Sequence, residues 1–179
     1  MVIGLIIGGE IGFWVLLAAG LVARYLVRWH RLSTVLLIGV PLVDVVVLAA
    51  TAVDLHRGGT ATDAHGLAAA YLGFSVAFGP SMVRWADQRV AHRFAGGPPP
   101  WKPPKRGWPR ARHEWREWAK ALLAVGISGA LLGAAILLVG DPDRTAALTG
   151  WIARLAGLLA IWLVAFPVWA TAAAAVGRR

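Results

Sequence analysis

Two Asp-x-His pairs stand in one short polar stretch: Asp54 with His56, and Asp63 with His65. Carboxylates and imidazoles suit zinc, manganese or iron, so the stretch 54–65 holds donors for a divalent metal. No His-x-x-x-His or Glu-x-x-His spacing reinforces the pattern. The same residues have an ordinary structural use, with Asp63 capping a following helix and Asp54 closing a preceding one. A second chemistry lies in polar residues set inside apolar runs: Glu10, Asp44, Tyr71 and Ser75. Ionisable groups in hydrocarbon are costly and usually face a bundle interior or a wet cavity, where they serve protons, ions or polar ligands. The plainer use of Glu10 and Asp44 is as interhelical glue, protonated or paired with Arg154 or with each other. A hydrolase triad would join Ser75 to His65 and Asp44 or Asp63, but Ser75 and His65 lie roughly 15 Å apart along one helix. The chain has 0 cysteines, which removes disulfides, thiol catalysis and thiolate metal sites. The histidines fall at 30, 56, 65, 92 and 113, outside the apolar runs, so no paired haem ligation inside a bundle is expected.

The elements that must position these residues are membrane helices. Hydrophobic residues make up 58% of the chain and charged residues 15%, with a mean hydropathy of +0.64. A soluble domain carries more charge and less apolar surface. The predicted fold is all-α: a polytopic transmembrane helical bundle of five spans, about 2–23, 33–53, 66–84, 121–139 and 147–176, in a single domain over 1–179. The first apolar run lacks a basic leader and carries Glu10, so it reads as a retained span rather than a signal peptide. Gly4, Gly8 and Gly12, then Gly126, Gly129 and Gly133, form small-residue stripes that would let another helix approach. Gly66, Ala70, Gly73 and Ala77 supply small residues to the third span. Pro41 predicts a kink just before Asp44, and Gly140-Asp-Pro-Asp143 is a turn.

Lysine and arginine are unevenly shared among the connectors. Arg24, Arg28 and Arg31 follow the first span, ten basic residues lie in 84–120, and Arg178 and Arg179 end the chain. The other side has Arg57, Arg144 and Arg154. The positive-inside rule then predicts an N-out, C-in protein with 54–65 and 140–146 outside. On three consecutive spans Glu10, Asp44 and Ser75 fall at a common depth, roughly 15 Å below the outer surface by helix rise. Asp54, His56, Asp63 and His65 would form the rim above them, and Tyr71 would lie between.

The connector 94–120 is rich in proline, tryptophan and basic residues. Its proline-rich part favours extended chain. Residues 111–120 then have the spacing of a short amphipathic helix at the interface before the next span. Basic residues interleaved with Trp101, Trp108, Trp115 and Trp118 would suit stacking on nucleic acid in a soluble protein. Beside membrane spans they are expected to meet anionic headgroups and the interfacial belt, with no nucleic-acid partner.

Glu10-Ile-Gly-Phe-Trp14, Pro41-Leu-Val-Asp44 and the run His65 to Gly79, ending in Trp85-Ala-Asp87, resemble the small bacterial integral membrane proteins called YmcC-like. The resemblance covers nearly the whole chain and is most specific in the first three spans. It implies a multi-pass protein of the bacterial cytoplasmic membrane and brings no activity with it. Three classes of function therefore stand open. The first is a non-enzymatic protein binding or relaying a proton, cation or small polar ligand through an outward-facing polar cavity. The others are a metal-dependent enzyme at the outer leaflet, and an accessory subunit or homo-oligomer docked through the glycine stripes. No cofactor is predicted beyond a divalent metal in the second class.

Overall fold

Helix continuity decides the architecture, because a hydrocarbon core about 30 Å thick needs about 20 apolar residues in unbroken helix. The computed structural model describes residues 2–25, 27, 29, 31–36, 39, 42, 45, 46, 49, 53, 55, 57–94 and 96–176. Helix α1 is Val2–Tyr25, α2 is Asp63–Phe94, α3 is Gly107–Val139 and α4 is Pro142–Leu163. A π turn, Val164–Val168, joins α4 to α5, Trp169–Val176.

Among the described residues, three helices are long and apolar enough to cross a membrane: Asp63–Arg93, Gly107–Val139 and Pro142–Val176. This corrects the expected five-span, N-out/C-in layout to three crossing helices. Within α1, the described apolar helix Trp14–Tyr25 is shorter than these three. The run 33–53, with Pro41 and Asp44, falls largely outside the described residues. Sidedness derived from five alternating spans goes with that count. The bundle's two ends are distinguished by the residues they carry.

At 31, 33 and 35 residues, the three helices reach roughly 46–52 Å at the usual rise. That length exceeds the apolar core, so their polar ends project from it. α2 continues as expected past Arg84 to Phe94, and α3 begins at Gly107, well before its apolar part. The segment 111–120 is thus the first part of one long helix, with no break before Ala121.

Small residues set the spacing between α2 and α3. A methyl group added at Gly73 would overlap the Ala124 carbonyl oxygen and Ser128 Oγ. Ser128 is fully buried, and its hydroxyl has acceptors on both helices: the Ala69 carbonyl at 3.0 Å and its own helix's Ala124 carbonyl at 2.9 Å. Close backbone approach with a hydroxyl bridging it is how helices associate where burial from water supplies no drive. Leu55, Leu132, Leu148 and Leu155 fill the core beside this contact. Farther along, Phe74 stacks on Phe78 and Phe78 on Trp162, with ring centroids 5.6 and 6.2 Å apart.

Local chemistry accounts for the turns. Gly140 ends α3 at φ +66, a left-handed cap that glycine adopts without a Cβ penalty. Asp141 caps α4 by accepting the Asp143 and Arg144 amides, and Pro142 occupies the first turn, where its missing N–H costs nothing. Pro167 lacks the donor that a regular helix needs, and the backbone around it widens into the π turn. Thr171 returns a hydroxyl to the Pro167 carbonyl at 2.7 Å, and Trp115 Nε1 donates to that hydroxyl at 3.0 Å, tying α3 to α5.

At the same end, Arg24 of α1 pairs with Asp87 of α2 through both nitrogens of its fork. The Tyr25 hydroxyl adds a 3.2 Å bond to the same carboxylate. The hydrogen bond with Asp87 pushes the Arg24 guanidinium's pKa up. Burial, with the negative charge of Asp87 beside it, pushes the Tyr25 phenol up.

Candidate functional site

The segment 57–62 reaches α2 across the end of the α3–α4 hairpin and is held there by Arg144. Arg144, in the first turn of α4, donates from Nε and Nη2 to the Gly59 carbonyl at 3.0 and 2.7 Å and from Nη2 to the Leu55 carbonyl. The Ala61 amide answers with a 2.9 Å bond to the Arg144 carbonyl. A guanidinium suits this work because its planar fork presents several donors at once. Gly58 takes the reversal at φ +115, where a side chain would be strained. Leu55 is buried beneath the clasp at 1% exposure.

The second Asp-x-His pair opens α2. Residues two apart on a helix do not face each other, so Asp63 and His65 diverge. Asp63 accepts Trp151 Nε1 at 2.9 Å and Arg154 at 3.1 Å, both from α4. Gly66 makes this approach possible, since a methyl there would run into the Trp151 indole. His65 turns back on Thr62: its Nδ1 lies 3.1 Å from the Thr62 amide and 2.9 Å from the Thr62 hydroxyl. An amide N–H only donates, so Nδ1 accepts and a neutral ring carries its proton on Nε2. The His65 ring thus satisfies the Thr62 amide at the start of α2, as the glutamate of a capping box does, while the His65 amide donates to the Thr62 carbonyl at 3.1 Å.

This arrangement does not assemble the expected metal ligands from Asp63 and His65. Asp54 and His56 lie outside the described residues. Among the described residues, no group of three histidines, aspartates or glutamates is placed to hold a metal ion. Arg154, considered on sequence as a partner for Glu10 or Asp44, pairs instead with Asp63.

Below the clasp lies a cavity of about 190 Å³ between Val45, Ala49 and Leu55 on one side and α3 and the start of α4 on the other. Val45, Ala49, Leu131, Leu132, Ala135 and Leu148 are among its walls, and among the described residues His65 is their one polar neighbour. Tyr71 is exposed and Ser75 half-buried, and neither lines this cavity. Glu10 belongs to α1, and Asp44 falls outside the described residues. The described walls of this cavity are apolar side chains together with His65.

The four connector tryptophans divide by use. Trp118 donates to the Leu159 carbonyl at 3.1 Å and meets Trp115 edge-on at 5.8 Å, so both bind α3 to the last helical rod. Trp101 is exposed and sets its ring against His113, while Trp108 stands exposed in the first turn of α3. Sequence reasoning did not single out Arg144, Trp151 or Ser128. The available signals were a cation facing a Gly-Gly turn and a glycine early in a helix where a large ring could seat.

A 156-residue stretch is 40% identical to a curated protein of Bacillus subtilis (strain 168), "Uncharacterized membrane protein YmcC". The match covers 87% of this chain and 80% of that relative. The chain matches no family model and no solved structure.

Proposed function

The chain belongs to the family of the bacterial membrane protein YmcC, and from that premise we propose that it is a small-ligand-binding protein of the cytoplasmic membrane. The observation that carries this reading is the 190 Å³ cavity beneath the Arg144 clasp, whose walls are apolar except for His65 among the described residues. An apolar cavity of about 150 Å³ is enough to take a benzene-sized guest. A wall of leucine, valine and alanine favours a hydrocarbon group, so the ligand is a small amphipath or a lipid tail. No catalytic group is assigned.

Native mass spectrometry of protein extracted gently from its own membrane tests this directly. Wild type is expected to retain a small molecule that Ala135→Trp, which fills the cavity, expels. Retention unaffected by Ala135→Trp, or no retained molecule in wild type, refutes the reading.

The proton, cation or polar-ligand version of the site rests on Glu10, Asp44, Tyr71 and Ser75. One observation keeps it in play: Val45, next in sequence to Asp44, lines the cavity. In reconstituted vesicles, Asp44→Asn is expected to remove pH-dependent binding or flux, and unchanged behaviour sinks it. Docking of a second membrane protein or copy is favoured by Gly126, Gly129 and Gly133, where an added methyl meets nothing within 4 Å. Cross-linking that fails to capture a dimer or partner along that stripe counts against it.

A further inference from the structure

At the opposite end of the bundle, the proline-rich connector is held in a defined place. The Trp101 amide donates to Gln88 of α2 at 3.3 Å, the Gly97 amide to the Ala91 carbonyl at 3.0 Å, and Arg110 to the Lys105 carbonyl at 3.3 Å. The Trp101 ring rests edge-on against His113, centroid to centroid 5.4 Å. Between connector and helix lies a cleft of about 310 Å³, walled by Trp101, Pro104, Pro109, Arg112, His113 and Arg116.

The charges in this cleft are unbalanced. Arg112 and Arg116 stand four residues apart on one face of α3, a like-charge spacing that is unfavourable by itself. The nearby acids are engaged elsewhere: Glu114 faces Arg110 at 3.8 Å, and Glu117 faces Lys120 at 2.7 Å and His113 at 4.0 Å. Among the described residues no carboxylate pairs with Arg112 or Arg116. Two guanidinium forks beside an imidazole make a receptor for a tetrahedral oxyanion, which accepts bidentate hydrogen bonds. Proline walls and a pinned tryptophan leave little freedom to lose on binding.

Position along the helix selects the source of that anion. α3 becomes continuously apolar from Ala121, so Arg116 and Arg112 stand roughly 7 and 13 Å beyond the start of that run. This is about the level of the headgroup layer flanking the hydrocarbon core. We propose that the cleft between Trp101 and Arg116 is a binding site for the phosphate of an anionic lipid headgroup.

Purified full-length protein in neutral detergent, titrated with phosphatidylglycerol or phosphatidylcholine and read by native mass spectrometry, tests the assignment. Wild type is expected to prefer phosphatidylglycerol, and Arg112→Gln with Arg116→Gln to weaken that binding roughly 30-fold, from the usual effect of two basic residues near a lipid phosphate. The charge-matched pair Lys105→Gln with Arg106→Gln, outside the cleft walls, should change it less than about threefold. Equal loss in both pairs, or no preference in wild type, overturns the site. Glycerol phosphate and inorganic phosphate form the soluble arms. Either one binding as tightly as the lipid overturns the lipid assignment in favour of a soluble phosphate ligand.

Discussion

Replacing Gly73 by alanine tests the α2–α3 contact on which the bundle rests. The new methyl would sit inside the contact radius of the Ala124 carbonyl oxygen and Ser128 Oγ. A carbonyl in a helix backbone cannot rotate away, so the helices must separate by about an ångström to restore ordinary contact. Overpacking of this kind costs about 1–3 kcal/mol. Separation also stretches the 3.0 Å bond from Ser128 to the Ala69 carbonyl, worth about 0.6 kcal/mol as an average interhelical bond in a membrane. Better helix propensity returns up to about 1 kcal/mol. The expected net loss is about 1–2 kcal/mol. Reversible unfolding in mixed micelles, with increasing denaturing detergent, would measure it. Gly129→Ala is the control, because an added methyl there meets nothing within 4 Å, and it should leave stability equal or slightly higher. A Gly73→Ala protein as stable as wild type would refute the close approach of α2 and α3.

Arg144→Gln should free the Leu55 and Gly59 carbonyls and cost about 2–3 kcal/mol, as loss of charge-assisted bonds does; faster proteolysis at 57–62 is the readout, and unchanged protection would count against the clasp. Asp87→Asn should lower thermal stability by about 1–2 kcal/mol, since Arg24 is half-buried beside it. Exchange of the two charges, Arg24→Asp with Asp87→Arg, should recover part of that loss, and a double-mutant cycle with no coupling would contradict the pair. Because burial and Asp87 raise the Tyr25 phenol above its ordinary 10.0, the unfolded chain loses that proton first. Its contribution is therefore intact below about pH 10 and lost as pH rises through the folded value. Tyr25→Phe should flatten that alkaline decline, and an identical pH profile would remove the assignment.

Much of the helical layout was legible because it depends on local chemistry. The polar extension of α2 beyond Arg84, the Gly140-Asp141-Pro142 hairpin and the small residues at Gly66 and Gly73 follow from periodicity, capping and size. The candidate site was legible only as a neighbourhood. Asp63 and His65 look like a ligand pair when written as Asp-x-His, yet two residues of helix, a little over half a turn, send them to different partners. The sequence puts the cap at Asp63, whereas in the structure Asp63 is the first residue of the helix and Trp151 and Arg154 reach it from another helix.

Composition by itself determined that this chain belongs in a membrane, since its apolar content exceeds what a soluble core can hide. It also located the basic, tryptophan-rich end, because charge excess is a local sum. Tertiary structure gave, among the described residues, three helices long and apolar enough to cross. It also decided that Arg144 clasps the polar loop, that the described walls of the cavity beneath are apolar side chains with His65, and that Arg112 and Arg116 share a cleft with Trp101. Each of these depends on residues brought together from distant parts of the chain, and only packing supplies those distances.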